Sequence, residues 1–149
     1  MRIYLDNCCY NRPYDDQMQL RISLETQAKL FIQDLIRRNQ IELAASYMLI
    51  YENEQNPYEM KKYAIQSFVQ DNTSIYIGYD RSEEINVIAS QIAATGIKAK
   101  DAIHVASAIL ASCDCFLTTD IRLLKYQSEQ ISLLNPVDFI QRWEANTDG

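Results

Sequence analysis

One predicted helix, over residues 99–112, is apolar on nearly all of its surface and constrains the fold more than any other segment. Its apolar positions are Ala102, Ile103, Val105, Ala106, Ala108, Ile109 and Leu110. Such a helix must be covered on all sides, so it belongs inside a domain. It nevertheless opens with the carboxylate of Asp101 and carries His104, the single histidine of the chain, one turn later. Burial of a carboxylate is costly unless the group is paired or binds a metal ion. Asp101 has a simpler explanation as well, because an aspartate can cap the free N–H groups at a helix start.

Short apolar segments alternate with helical patterns along the whole chain. The pattern predicts strands at residues 2–5, 41–45, 74–79, 115–118 and 131–134, and helices at residues 18–38, 47–55, 57–70, 82–96, 99–112 and 136–144. This alternation implies right-handed crossovers and a parallel sheet that is covered by helices on both faces. We therefore predict one domain over residues 1–145, an α/β fold of three layers (α/β/α) with a parallel four- or five-stranded sheet. Residues 146–149 are predicted to form a frayed C-terminal tail.

The composition is that of a globular protein and restricts the class of function. The 149 residues are 48% hydrophobic and 23% charged, which suits one domain with a substantial core. No apolar run approaches the roughly 18 residues that span a membrane, and an acid at position 6 interrupts any signal peptide, so we expect a cytoplasmic protein. The net charge of −6 argues against a protein with a basic nucleic-acid-binding face, unless carboxylates bind a divalent cation. The four cysteines lack common zinc spacing and are expected to be reduced thiols.

Four acidic residues are predicted to converge on one edge of the sheet. Asp6 follows the first strand, Asp120 follows the fourth, Glu52 lies on the helix after the second strand, and Asp101 opens the apolar helix. In a parallel α/β sheet, sites form beyond the carboxyl ends of the strands. Each acid alone is explained equally well as a capping or solvated residue, and Glu54 is predicted to be solvated. Together the four carboxylates would repel one another without cations, and an oxygen-only set suits Mg²⁺ or Mn²⁺.

Several segments resemble the PIN-domain family, and the chain is close in size to the VapC-type toxins of that family. The matching segments are Tyr4-Leu5-Asp6-Asn7, residues 46–52, residues 100–106, Leu117-Thr118-Thr119-Asp120 and residues 134–139. The likeness covers nearly the whole chain, and the four acids occur in the order typical of the family. The resemblance implies a metal-dependent ribonuclease that acts on RNA phosphodiester bonds.

The resemblance also implies roles for individual residues. Asp6, Asp101, Asp120 and Glu52 are the predicted catalytic residues and ligands of Mg²⁺ or Mn²⁺, and Glu52 could instead orient the attacking water. Asn7 and Thr119 are candidates for hydrogen bonds that orient the metal ligands. The cations that could contact RNA phosphates are Lys98, Lys100, Arg122 and Lys125, although each is explained equally well as an ordinary surface residue. His104 is predicted to be a core histidine with its hydrogen bonds satisfied.

Three interpretations of the function stay open at the level of sequence. The first is the toxin of a toxin–antitoxin pair, with an antitoxin protein as partner and a homodimer as the expected assembly. The second is a housekeeping RNA-processing nuclease with the same fold. The third is a non-catalytic binding module, against which the complete set of four acids argues.

Overall fold

Five strands form a single parallel sheet at the centre of the molecule. The structure is a computed structural model and describes residues 1–148. The strands are β1 (Arg2–Leu5), β2 (Glu42–Ser46), β3 (Thr73–Ile77), β4 (Cys115–Leu117) and β5 (Ser132–Leu134), in the order β3-β2-β1-β4-β5. All four neighbouring pairs are parallel. The predicted parallel sheet is confirmed, with five strands.

Eight α-helices connect and cover the strands. They are α1 (Asn7–Asn11), α2 (Leu20–Arg37), α3 (Tyr47–Glu54), α4 (Glu59–Asn72), α5 (Ser82–Ala93), α6 (Ala99–Leu110), α7 (Ile121–Leu124) and α8 (Pro136–Asp148). The sequence from Cys8 to Gln17 predicts a loop or a short turn, but the chain after β1 forms α1 and a 3-10 turn over Arg12–Tyr14. Helix α7 was not predicted. Helix α8 runs beyond its predicted end near Glu144, and Gly149, the last residue of the predicted tail, lies outside the described residues.

Alternate strand residues face two separate hydrophobic cores. Ile3 and Leu5 of β1 pack into one core with apolar residues of α2, α4 and α8. Tyr4, between them, packs into the other core with apolar residues of α5 and α6. Because successive side chains of a strand point to opposite faces, this division shows helices on both sides of the sheet. The predicted three-layer α/β/α fold is therefore confirmed.

Helix α6 is the most enclosed of the long helices, as its sequence predicts. Its buried residues are Ala102, His104, Val105, Ala106, Ser107 and Ala108. The turn before it contains Gly96, whose φ of +105° is a conformation that other residues rarely adopt. None of the helices in residues 1–148 combines the length and apolar character needed to cross a bilayer.

Candidate functional site

Asp6 is fixed at the carboxyl end of β1 by hydrogen bonds to both of its carboxylate oxygens. Its backbone N–H continues the parallel ladder to the Leu117 carbonyl at 2.9 Å. One oxygen, Oδ1, accepts from the Asn7 N–H at 2.8 Å, which caps helix α1. The other, Oδ2, accepts from the Thr118 hydroxyl at 2.8 Å and from the Cys8 thiol at 3.4 Å. The Asp6 side chain is therefore buried and held in one orientation.

Asp120 stands at the end of the neighbouring strand, β4, and is connected to Asp6 through Thr118. The Thr118 hydroxyl accepts from the Asp120 N–H at 3.1 Å while it donates to Asp6. The Asp120 carboxylate caps the short helix α7, since its Oδ1 accepts from the N–H groups of Arg122 and Leu123 at 2.9 and 3.4 Å. Asp120 is exposed, unlike Asp6.

Glu52 enters the site from helix α3 and forms an ion pair with the buried His104. Ser46, at the end of β2, caps α3 by accepting from the Leu49 N–H. Two turns into this helix, Oε1 of Glu52 lies 2.7 Å from Nε2 of His104. Nδ1 of His104 lies 2.6 Å from the Tyr4 hydroxyl, which in turn lies 2.7 Å from Oγ of Ser46. A continuous buried chain of hydrogen bonds thus joins β1, β2, α3 and α6.

Burial and charge act in opposite directions on the Glu52–His104 pair. Burial raises the pKa of Glu52, but the hydrogen bond and charge of His104 and the charge of Lys100 outweigh it, so this pKa lies below its usual value. Burial lowers the pKa of His104, but the hydrogen bond to Glu52 and the charges of Asp6 and Asp101 outweigh it, so this pKa lies above its usual value. The ionised pair, with the proton on His104, is therefore favoured.

Asp101 is the acid of the set that has no partner. It lies half-buried in the first turn of α6, and within residues 1–148 its side chain makes no hydrogen bond or ion pair. Burial raises its pKa, and the carboxylates of Asp6, Asp120 and Glu52 raise it further, against a smaller opposing effect of His104. Two conclusions follow. The other three acids lie close enough to Asp101 to oppose its ionisation, and Asp101 does not cap its helix by a hydrogen bond.

The donor chemistry and the packing of the four acids give different answers about a metal ion. All four supply carboxylate oxygens, which are ligands that Mg²⁺ and Mn²⁺ prefer. The unpaired Asp101 among three other carboxylates is the arrangement that a bound cation would stabilise. Yet residues 1–148 contain no group of three or more His, Cys, Asp or Glu side chains packed closely enough to hold one ion. The chemistry of the site fits a divalent cation, while a preformed coordination shell is absent from the described residues.

Comparison with solved structures identifies the fold. One chain of VapBC2 from Rickettsia felis, bound to a DNA fragment from its promoter, superposes with a TM-score of 0.58 at 13% identity, covering 91% of this chain and 98% of that one. A chain of FitAcB from Neisseria gonorrhoeae gives 0.58 at 19% identity, with 90% and 97% covered. A chain of FitAB bound to an IR36 DNA fragment gives 0.59 at 19% identity, with 91% and 95% covered. The fold is PIN-like. No protein-family model and no curated protein matches the sequence.

The resemblance noted in the sequence is confirmed at the level of the fold, and the PIN-like fold explains where the acids lie. Its parallel strands β1 and β4 are neighbours, so Asp6 and Asp120 leave the sheet side by side. Glu52 faces this edge, whereas Glu54 is exposed, as the sequence predicts. Because the sequence identities are only 13–19%, the likeness to these structures supports the fold alone.

The predicted supporting residues lie in different surroundings. Asn7 borders the same cavity as Glu52 and contributes to lowering its pKa. Thr119 is buried, but the hydroxyl that donates to Asp6 belongs to Thr118. The Thr119 carbonyl accepts from Arg21 at 2.6 Å.

The four predicted phosphate-binding cations are all exposed. The charge of Lys100 acts on Glu52, and its Nζ lies 5.9 Å from the centroid of the Tyr51 ring. Lys98 is the residue that precedes the first turn of α6. Arg122 and Lys125 line a separate open groove of about 430 Å³ with the loop that contains Gly96.

Sequence reasoning missed three residues of the site: Thr118, Tyr4 and Arg21. Thr118 carried a usable signal, because it stands two residues before Asp120 and therefore on the same side of an extended chain. Tyr4 carried a weaker signal, because it stands between Ile3 and Leu5 in the strand and therefore faces the other core. Nothing in the sequence around Arg21 indicates its contact with Thr119, which lies 98 positions away.

Proposed function

We propose that this chain is a Mg²⁺- or Mn²⁺-dependent endoribonuclease. The observation that carries the proposal is the environment of Asp101, a half-buried carboxylate without a partner whose pKa is raised by burial and by Asp6 and Asp120. A charge in such a position is costly unless a group of opposite sign joins it. A divalent cation is the group that the oxygen-only donor set fits.

Asp6, Asp101 and Asp120 are the residues proposed to hold the ion, with Glu52 as a further ligand. A bound ion would supply Lewis-acid stabilisation of charge on the phosphodiester and would acidify a water molecule for in-line attack. The other proposed roles belong to the chain itself. Thr118 keeps Asp6 in one orientation, and His104 keeps Glu52 ionised, so that Glu52 can bind the ion or orient the attacking water.

Positive side chains around the acids are proposed to bind the RNA backbone. Lys100 is the best placed of the four, because it already acts electrostatically on Glu52. Lys98, Arg122 and Lys125 would extend the contact along the exposed surface, where phosphate contacts fix the position of a nucleic acid without reading its sequence.

Cleavage of an RNA panel tests the proposed reaction. The wild-type protein should cleave in the presence of Mg²⁺ or Mn²⁺ and lose activity on chelation, and Asp101→Asn should lose most of the activity. Glu54→Gln is the matched control, because it removes one carboxylate of the same chain that is exposed and outside the set. Metal-independent cleavage, or equal loss in both variants, would contradict the proposal.

We also propose that the chain is the toxin of a toxin–antitoxin pair with an antitoxin protein as its partner. Support comes from the fold shared with chains of VapBC2 and FitAB, whose structures are complexes bound to DNA. Induced expression should arrest growth of a host cell, whereas Asp101→Asn at equal abundance should not. A housekeeping nuclease would instead leave growth unaffected at that abundance.

A homodimer is proposed on the basis of apolar side chains left exposed on α2. Leu20, Leu24 and Phe31 are 73%, 45% and 43% exposed, and contiguous exposed apolar surface is typical of protein interfaces. Light scattering should give a mass of about two chains at micromolar concentration. A strict monomer at high concentration would contradict this assembly.

A further inference from the structure

A cavity of about 220 Å³ opens beside Glu52, and amide side chains dominate its walls. Five amides line it: Asn7, Asn11, Asn53, Gln55 and Asn56. Among the described residues of its lining, Glu52 is the single carboxylate and Lys61 the single cation. The lining therefore has no net charge and is rich in hydrogen-bonding groups, although the cavity adjoins the four acids.

We propose that this cavity is a nucleobase subsite, which holds one base of the RNA substrate next to the carboxylates. The inference rests on the proposed ribonuclease function and deepens it by assigning part of the substrate specificity. Amide side chains offer both donors and acceptors, and so do the edges of the bases. A phosphate, in contrast, would meet the ionised carboxylate of Glu52. Pockets for drug-sized ligands occupy about 300–1,000 Å³, so a smaller cavity suits a single ring system.

Tyr58 supplies an aromatic surface at the same cavity. Tyr58 is 68% exposed and belongs to neither core, so its ring is accessible to a ligand in the cavity. Unstacked RNA bases commonly stack on exposed tyrosines while polar groups read their edges. Lys61 lies over this ring, with Nζ 5.9 Å from its centroid, and also lies 5.4 Å from the centroid of Tyr14. The lysine is thus held where a phosphate next to the bound base could reach it.

The amide side chains that line the cavity differ in the hydrogen bonds that hold them, and we assign them different roles accordingly. The Asn11 amide donates to the Asn7 carbonyl at 2.8 Å, and the Asn53 amide donates to the Lys62 carbonyl at 2.9 Å. Oδ1 of Asn56 accepts from the Tyr58 N–H at 3.1 Å, which fixes the chain that carries the ring. Gln55 is exposed, and within residues 1–148 its side-chain amide makes no hydrogen bond. Gln55 therefore has both its donor and its acceptor groups free to read a base edge.

Sequencing of cleavage products from a randomised RNA pool tests the subsite. Wild-type protein should show a base preference at one position fixed relative to the cut. Tyr58→Ala should weaken that preference, and Gln55→Ala should change it to a smaller degree. Tyr63→Ala is the matched control, because Tyr63 is also exposed (57%) and also has a lysine Nζ 5.9 Å from its ring centroid, but does not line the cavity. All three side chains are exposed, so unchanged melting temperatures are expected.

Binding of short homopolymeric RNAs to the Asp101→Asn protein provides a readout that does not depend on cleavage. Tyr58→Ala in this background should weaken binding of the preferred base by about 5- to 150-fold, which corresponds to base stacking of about 1–3 kcal/mol. Tyr63→Ala should leave binding unchanged.

The outcomes separate the subsite from the proposed function. One outcome is that the wild-type protein cleaves RNA and that the Tyr58, Gln55 and Tyr63 variants show the same base frequencies and affinities as the wild type. This outcome would refute the subsite and leave the proposed ribonuclease function intact. Base-selective binding that depends on Tyr58, without any cleavage by wild-type protein, would refute the ribonuclease and leave the subsite standing. Loss of antitoxin binding in Tyr58→Ala, with RNA binding and cleavage unchanged, would overturn the subsite in favour of a polypeptide contact.

Discussion

Replacement of Asp101 by asparagine should not destabilise the metal-free protein, although Asp101 lies half-buried in the first turn of α6. The substitution keeps the shape of the side chain and removes one of four carboxylates that repel one another. Because Asp101 is half-buried, water screens this repulsion, and we expect a gain of only about 0.5–1 kcal/mol, in the range measured for partly exposed charge pairs. In a domain of this size, that gain raises the melting temperature by about 1–4 °C.

Added metal should raise the melting temperature of the wild-type protein more than that of Asp101→Asn. A ligand that binds only the folded state stabilises it by about 2.7 kcal/mol at a concentration of 100 times its Kd. For the wild-type protein this corresponds to an upward shift of about 5–11 °C in the melting temperature with Mg²⁺ or Mn²⁺. Asp101→Asn should lose most of this shift, because it removes one of the proposed ligands.

The pH dependence follows from the direction of the Asp101 pKa. A carboxylate whose pKa is raised in the folded state keeps its proton there after the unfolded chain has released it. Its contribution is therefore fully favourable below the unfolded pKa of about 3.9 and is lost as the pH rises through the folded pKa. The stabilising effect of Asp101→Asn should consequently be present near neutral pH and disappear at acid pH. The metal response should also shrink there, as protons replace the ion.

Differential scanning fluorimetry with and without metal, over a series of pH values, measures all three effects. Glu54→Gln is the control, since it removes a nearby exposed charge and should change neither the metal-free melting temperature nor its shift with metal. Two results would refute the reasoning. If Asp101→Asn melts well below the wild type without metal, Asp101 is a structural residue of the helix start. If its metal response equals that of the wild type, Asp101 is not a ligand.

Two further predictions concern buried ionisable groups. His104→Leu should lower the free energy of unfolding by about 1–3 kcal/mol near pH 6. The loss should shrink as the pH rises through the raised folded pKa of His104, which urea denaturation over a pH series would show; a constant loss would contradict it. Lys29→Met should raise the free energy of unfolding by about 1–3 kcal/mol at neutral pH, because burial lowers the pKa of Lys29 to about 8. That gain should disappear as the pH rises from about 8 towards 10.4, where the folded state gives up its proton before the unfolded state. Circular dichroism melts at neutral and alkaline pH would measure it, and a destabilised variant would contradict it.

The sequence alone predicts that Asp6 and Asp120 lie at the same edge of the sheet, because two local signals coincide there. Asp6 and Asp120 each follow a short apolar strand, and parallel topology brings such strand ends together whatever the strand register. The register of β1 against β4, in contrast, has no local signal in the sequence. It pairs Leu5 with Leu117, and only this pairing brings Thr118 rather than Thr119 against Asp6.

Helix α4 shows how a periodic pattern can predict the right element and the wrong face. The spacing of Met60, Tyr63, Ala64, Ser67 and Phe68 predicts a buried stripe, but Met60 and Tyr63 are 89% and 57% exposed. The buried residues are Ile65, Phe68 and Val69, a second stripe with the same three- and four-residue spacing. Both stripes satisfy the helical period, so packing against β-sheet residues decides between them. The sequence Ser82-Glu83-Glu84-Ile85 likewise predicts a capping box. That prediction is wrong, because Arg81 precedes the helix without a capping side chain and pairs with Glu84 instead.

Comparison of Glu25 with Asp101 explains why the site can be located without any ligand. Glu25 is almost completely buried, and its carboxylate accepts from Arg12 at 2.8 Å, from Arg21 at 3.2 Å and from the Asn135 amide. A charge buried for structural reasons is surrounded in this way, because the fold is stable only if the charge is compensated. Asp101 enters a core with no such partner, among carboxylates that oppose its ionisation. A residue that departs from the rule its own protein obeys elsewhere is a candidate for a functional site. For Asp101 the proposed partner is a divalent cation, and the metal titration of Asp101→Asn against Glu54→Gln tests that proposal.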